Sequence, residues 1–437
     1  MTYKEARVYL DEMSKYGSVL GLDAIRGLLR ELGNPQDDLK FIHIAGTNGK
    51  GSVLAYTSTI LSEAGYRTGR YVSPTVVSYL ERIQVDGDWI PEERFAQLTE
   101  AVSEAVVRLG KKKEPLPTVF EAETAIAFLY FREMNCDLVV LEAGLGGALD
   151  ATNIVKNTVC AVFASISRDH IGVIGETLEE IAENKAGIIK PGCCVVSAAQ
   201  KPEVTRILQE RAESMGCPFR QAHPEVAVIR GDDYRGILLD YKEFKDIRTP
   251  IAGKNQIDNV AAALETVTAL GTLGYPVSPE EVRRGIARTR WPGRFSCIGE
   301  NPLIILDGAH NEDAALRLRE SVESYFPGRR LICIMGVFWD KEYDRIAEIM
   351  CPLAASVHTV TLPNRQRSLP AEELAEAVKP WCPDVRAEKS IHQAAEAAVA
   401  EAGEDDIILV FGSLSYLEEA RRELEQIIMR RKEHDRS

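Results

Sequence analysis

Aromatic side chains make up only 7% of this 437-residue chain, and none of its nine cysteines stands in a CxxC pair. Several cysteines fall inside strand-like runs such as TVCAVF and LICIMGV. That scatter fits reduced, packed thiols better than a disulfide framework or a zinc site. No apolar run approaches the length of a membrane span, and the opening MTYKEARVYLDEM has no apolar signal core. Positive charge is also short: 52 Lys and Arg against 66 Asp and Glu leave a net charge of −14. A broad nucleic-acid or anionic-membrane surface would need the opposite balance. The expectation is a cytoplasmic protein without nucleic acid or membrane as partner, with room for a local basic pocket.

What is present is ordinary globular composition, 45% hydrophobic and 27% charged, in a chain long enough for about two or three domains. Two short amphipathic helices flank a Gly-containing loop at 17–21. FIHIA then reads as a strand and SVLAYTSTILSEAG as a helix, with HIAGTNGKGS between them. Further strands are read at RTGRYVSP, DLVVLEAGLGG and TVCAVFASI, and helices at 92–110 and in EAETAIAFLYFREM. The KKKEPLP stretch reads as a charged surface turn. Strands alternating with helices predict a parallel, doubly wound sheet. Antiparallel strands are expected near 223–248 and a long helix in NQIDNVAAALETVTAL. After WPGR a second alternation begins, with strands LIILDGAH, RLICIMGV, SVHTVTL and DDIILVFGS. The expected division lies near residue 296, giving domains 1–296 and 297–437.

The loop GTNGKGS is a compressed phosphate loop, with Ile44 where the strict Walker pattern has its first glycine. Glycines at 46, 49 and 51 let the backbone approach oxygen anions, and a helix amino terminus adds its positive dipole. Lys50 would neutralise terminal phosphates and the Ser52 hydroxyl would ligate magnesium. Glu142 ends an apolar strand at the carboxyl edge of a parallel sheet, where ligand crevices form. GLGG is not a dinucleotide fingerprint, because Leu149 stands where GxGxxG needs glycine. His170 follows another strand at the same edge. Lys185 shares a helical face with Leu178, Ile181, Ala182 and Ile188. Such a lysine either snorkels outward or is a desolvated amine with a lowered pKa.

AGTNGKGS, YVSP, LEAGLGGALDATN, DHIGVIGETLEEIAENKAGIIKPG, NQIDN, WPGR, LDGAHN and FGSLSYL, in this order, resemble the folylpolyglutamate synthase/dihydrofolate synthase branch of the Mur-ligase family across nearly the whole chain. The resemblance implies an α/β fold: an N-terminal Mur-ligase-type P-loop ATPase domain with a mostly parallel sheet, and a smaller Rossmann-like α/β C-terminal domain. It implies ATP-dependent addition of L-glutamate to a folate or to dihydropteroate by a monomer. It further implies that Gly49, Lys50, Gly51, Ser52, Asn259, Arg294 and Asp307 contact ATP. Ser52, Ser73, Glu142, His170 and a carbamylated Lys185 would hold two magnesium ions, and the resemblance allows a monovalent cation as well. His310 would lie near the ribose or the incoming glutamate, and Lys50, Lys185, His170, Arg294 and His310 would serve catalysis. Thr118 and Phe120 would line a flat apolar slot for the pterin, against a plain reading as helix-start packing. Three positions depart from the family pattern: Ala148, Asn255 and Arg168. Two rivals are weaker. Only some 40 residues precede the phosphate loop, below the usual domain size of a UDP-sugar module, and the NKxD string of a guanine-nucleotide switch is broken at Gly187.

Overall fold

The computed structural model describes residues 1–13, 21–169, 172–364 and 366–434. An eight-stranded sheet organises the first lobe. Its strands are β1 (Phe41–Ala45), β2 (Thr68–Tyr71), β3 (Ile83–Val85), β4 (Asp88–Trp89), β5 (Leu138–Glu142), β6 (Thr158–Phe163), β7 (Cys194–Ser197) and β8 (Phe219–Gln221). They lie in the order β4-β3-β2-β5-β1-β6-β7-β8, parallel from β2 to β8, with β3 and β4 added as an antiparallel edge. Both faces are covered, which is why these strands read as unbroken apolar runs. In β5, Leu138 and Val140 face one core, Val139 and Leu141 the other.

On one face lie α1 (Tyr3–Met13), α2 (Asp23–Glu31), α4 (Glu92–Lys112) and α5 (Val119–Glu133), with α6 (Leu178–Ala186) and α7 (Pro202–Ser214) covering the β6–β7 half. The other face carries α3 (Lys50–Glu63), α8 (Gln256–Thr272) and α9 (Pro279–Arg288). An antiparallel sheet of β9 (Val228–Asp233), β10 (Gly236–Tyr241) and β11 (Phe244–Thr249) closes that side.

The second lobe holds β12 (Ser296–Glu300), β13 (Leu303–Leu306), β14 (Leu331–Met335), β15 (Ser356–Thr359), β16 (Val385–Ala387) and β17 (Ile407–Phe411) in the order β12-β13-β17-β14-β15-β16, with only β12 antiparallel. Helices α10 (Glu312–Tyr325), α11 (Tyr343–Met350) and α12 (Ala371–Val378) pack on one face, α13 (Ile391–Glu401) and α14 (Leu417–His434) on the other. Among the described residues no helix is long and apolar enough to cross a membrane.

One boundary differs from the sequence reading. Helix α4 continues through Lys111 and Lys112, and Lys113 caps it in the left-handed conformation at φ 57°. The lysines sit in the last turn, where cations meet the negative end of the helix dipole. The loop at 17–21 falls mostly outside the described residues.

Helix α9 rests on α3 at Gly285, where an added Cβ would lie 2.5 Å from the Ile60 Cα. Gly285→Val is therefore expected to lower stability by about 1–3 kcal/mol through overpacking. Chemical denaturation checks this as a lower midpoint at unchanged slope.

Candidate active site

Strand β1 ends at Ala45 and α3 begins at Lys50, so the loop Gly46-Thr47-Asn48-Gly49 delivers the amino end of α3 to the carboxyl edge of the sheet. Gly49 has φ 85°, and a Cβ there would stand 2.3 Å from Asn259 Oδ1. A Cβ on Gly51 would stand 2.5 Å from the Trp291 ring. Only glycine lets α8 and the WPGR turn touch the loop this closely. Ser52 is 1% exposed, and among the described residues its Oγ has no hydrogen-bond partner. A ligand oxygen or cation in the cleft can satisfy it.

Two ammonium groups meet at one carbonyl. Lys50 Nζ donates to Gly46 O and Thr47 O, both at 3.2 Å, and Lys185 Nζ donates to the same Gly46 O at 2.9 Å. Lys185 is 4% exposed and points into the cleft, so it does not snorkel. Burial, and then the neighbouring Lys50 charge, lower its pKa to about 7. Burial also lowers that of Lys50, against the pull of Glu142. The GLGG turn allows this approach: a Cβ on Gly147 would fall 2.7 Å from the Lys185 carbonyl.

Opposite stands Glu142, 5% exposed, whose Oε2 accepts the Ser73 N–H at 3.1 Å. Burial raises its pKa and Lys50 opposes the shift. From the second lobe come Asp307 and His310, and Arg294 comes from the turn that joins the lobes. The Asp307 carboxylate accepts N–H groups from Phe295 at 2.9 Å and Ala309 at 2.8 Å, fixing the turn after WPGR. Burial raises the Asp307 pKa and lowers that of Arg294, while each opposes the other's shift. His310 Nδ1 lies 2.7 Å from Gly308 O and so carries the proton. Burial, with Lys341 nearby, drops its pKa to about 4, leaving a neutral ring with Nε2 as acceptor.

A cavity of about 310 Å³ between the lobes is lined by Gly49, Lys50, Gly51, Ser52, Ser73, Glu142, Lys185, Asn259, Arg294, Asp307 and His310. His170 lies outside the described residues. Thr118 and Phe120 do not line this cavity. Thr118 is the amino cap of α5, its hydroxyl bonded to Glu121 at 2.9 Å. Phe120 packs against Gly144, where a Cβ would stand 2.6 Å from the ring, and tilts toward Tyr71. Of the three departures from the family pattern, Ala148 packs on Gly187, Asn255 lines the cavity and Arg168 is exposed.

Sequence reasoning missed the residues that join the lobes. Asn48 Nδ2 donates to Asn311 Oδ1 at 3.2 Å and Asp313 Oδ2 at 2.9 Å, and Asn311 Nδ2 returns to Asn48 Oδ1 at 3.0 Å. Asp169 Oδ1 pairs with Lys341 at 2.9 Å, and both side chains are nearly buried. The available signals were Asn48 inside the phosphate loop and Asp169 beside His170.

A double-mutant cycle on Asp169→Asn and Lys341→Met is expected to give a coupling of about 0.5–3 kcal/mol. Lys341→Met alone is also expected to widen the scattering radius of gyration, because the pair spans the lobes. Additive effects and an unchanged radius would remove the pair as a clasp.

Two family models match the chain: the Mur ligase middle domain over residues 44–267 and the Mur ligase, glutamate ligase domain over 293–414. The dihydrofolate synthase/folylpolyglutamate synthase of Bacillus subtilis is 33% identical over 434 residues, covering 97% of this chain and 99% of that protein. The dihydrofolate synthetase of Saccharomyces cerevisiae is 32% identical over 78% of this chain and 81% of its own. Among solved structures, Mycobacterium tuberculosis folylpolyglutamate synthase complexed with ADP and AMPPCP matches at TM-score 0.87 and 28% identity, over 96% of this chain and 98% of that one. E. coli FolC in complex with DHPP and ADP matches at TM-score 0.84 and 29% identity, over 98% of each chain. Two matched domains in the right order, likeness along the full length and a cleft built on a phosphate loop agree: the chain belongs to the Mur ligase family, in its folylpolyglutamate synthase/dihydrofolate synthase branch.

Proposed function

We propose that the protein uses ATP to couple L-glutamate to the carboxylate of a folate, of dihydropteroate, or of both. The observation that carries this is the shared Gly46 carbonyl: two lysines converge there, facing Glu142, in a cleft whose α3 end presents backbone N–H groups. That charge pattern suits a triphosphate next to a second anionic reactant.

A free carboxylate is a poor electrophile in water. In the proposed reaction its oxygen attacks the γ-phosphorus, the bond to the β-phosphate oxygen breaks, and ADP leaves. The glutamate amine then attacks the acyl carbon, phosphate departs with the C–O bond pair, and the amine gives up a proton. Lys50 and Arg294 would bind the transferring phosphoryl oxygens, where charge is greatest. His310, neutral at pH 7, would offer Nε2 to the incoming glutamate or the ribose. The cross-lobe bonds of Asn48, Asn311, Asp169 and Lys341 would keep water from the acyl phosphate.

The residues fit magnesium. Ser52 offers an unpartnered buried Oγ, and Glu142 a buried carboxylate beside Ser73. Magnesium takes few protein oxygens and completes its shell with substrate phosphates and water. It would supply charge neutralisation on the phosphates. We place His170 and Lys185 in the same set by family resemblance, and assign no residue to a monovalent cation. Lys185 would join as a carbamate, formed when its neutral amine attacks CO2 and loses a proton. We also propose a monomer of two units, 1–296 and 297–437, and a reducing compartment, supported by nine free thiols.

Mass spectrometry of reactions containing ATP and glutamate with either dihydropteroate or tetrahydrofolate tests the reading. One added glutamyl residue per ADP is expected; ADP release without acyl substrate, or no product from either acid, would refute it. Lys185→Ala is expected to lower turnover by about 10³-fold or more, with ATP affinity within severalfold of wild type. With a pKa near 7, the amine is neutral above that pH and protonated below it. Carbon-13 label from bicarbonate should therefore appear on wild-type Lys185 at pH 8 and fade at pH 6. Equal labelling at both values would contradict the carbamate.

A further inference from the structure

A second cavity, of about 430 Å³, lies behind the wall formed by Val76, Trp291 and Pro292, which also line the nucleotide cleft. Arg70 on β2 and Arg290 after α9 both line it. Arg70 is 8% exposed. Its Nε donates to Ser58 Oγ at 2.8 Å, Nη2 to Thr59 Oγ1 at 3.0 Å and Nη1 to Gln84 Oε1 at 3.3 Å. All three partners are neutral. A guanidinium has five N–H donors, so two remain. Arg290 spends one nitrogen on the Ala287 and Thr289 carbonyls. Among the described residues neither arginine pairs with a carboxylate.

The carboxylates that share this cavity are committed elsewhere. Glu63 is held by Arg284 and Arg288, Glu81 by the N–H groups of Val76, Val77 and Ser78, and Asp86 by Ser62 and the Thr68 N–H. A buried cation without a counter-ion is unfavourable unless a ligand supplies one. Ser58 and Thr59 on α3 and Gln84 on β3 hold the Arg70 fork rigid, which is what bidentate recognition of a carboxylate needs.

We infer that this cavity is a subsite for carboxylates on the glutamyl tail of an already lengthened substrate. The inference rests on the chain-lengthening reading above. Each glutamate carries an α- and a γ-carboxyl group: one enters the next amide and one stays free. A growing tail therefore gains one negative charge per round and must place it outside the reacting centre. The arginine-lined cavity sits one residue-thick wall away from that centre and offers the uncommitted positive charge.

The test compares wild type with Arg70→Gln and, separately, with the exposed Arg290→Gln, using tetrahydropteroyl substrates that carry one or three glutamates. Thermal melting confirms folding, and Arg290→Gln stands free of the buried hub. The KM for the triglutamate is expected to rise about tenfold in each variant. The KM values for the monoglutamate and ATP should stay within about twofold, and product chains should end shorter. Pterin-free triglutamate should compete with the triglutamated substrate in wild type only. A rise shared equally by both substrate lengths, no rise in either variant, or equal competition by triglutamate in wild type and variants would overturn the subsite. Wild type unable to lengthen even the monoglutamate would refute the parent reading, and the subsite with it.

Discussion

The Gly46 carbonyl receives two ammonium groups, from Lys50 and from Lys185, and the rest of the cleft follows from that crowding. Two like charges on one acceptor in a water-poor site repel strongly, since a lower effective dielectric magnifies the Coulomb term. The chain has two ways to relieve it. One amine can lose its proton, and Lys185, the more deeply buried, is drawn down to about 7. Or an anion can enter, and the cavity beneath is shaped by backbone N–H groups at the start of α3 to receive one. The proposed ligation would use both: a polyphosphate bound beside Lys50 and a Lys185 amine able to shed its proton near neutral pH.

Architecture makes the crowding achievable. Parallel strands bring β1, β2 and β5 to a single edge, so Gly46, Ser73 and Glu142 leave the sheet side by side. The second sheet turns the end of β13 toward the same space and contributes Asp307, and Arg294 arrives just before β12. Glycines at 49, 51 and 147 remove the bulk that would hold α8, Trp291 and α6 away. Across the cleft the lobes are joined by the Asn48–Asn311 hydrogen bonds and the shielded Asp169–Lys341 ion pair.

Much of this was legible in the sequence because its signals are local. The strand-loop-helix context of GTNGKGS, the acid ending DLVVLE and the lysine on an apolar helical face each needed fewer than a dozen neighbouring residues. The two-lobed α/β fold followed from the strand-helix alternation, and the family motifs placed eleven of the expected residues around one cavity. What could not be read was contact across distance. Asn48 meets Asn311 and Asp169 meets Lys341 only because two sheets face each other, and neither pair has a spacing that a sequence pattern would mark. At Thr118 both a slot wall and plain helix-start packing were legible, and the structure shows the packing role: its hydroxyl and the Glu three residues on form a capping box. Arg70 sits in a strand that reads as ordinary, and only the tertiary fold shows that its partners are all neutral.

The central claim is that the two lobes hold a carboxylate against a triphosphate so that oxygen passes between them. Oxygen-18 placed in the acceptor carboxylate tests it directly. One labelled oxygen is expected in the inorganic phosphate released with each amide formed. Phosphate carrying only solvent oxygen, with the label retained in the product or lost to water, would contradict it.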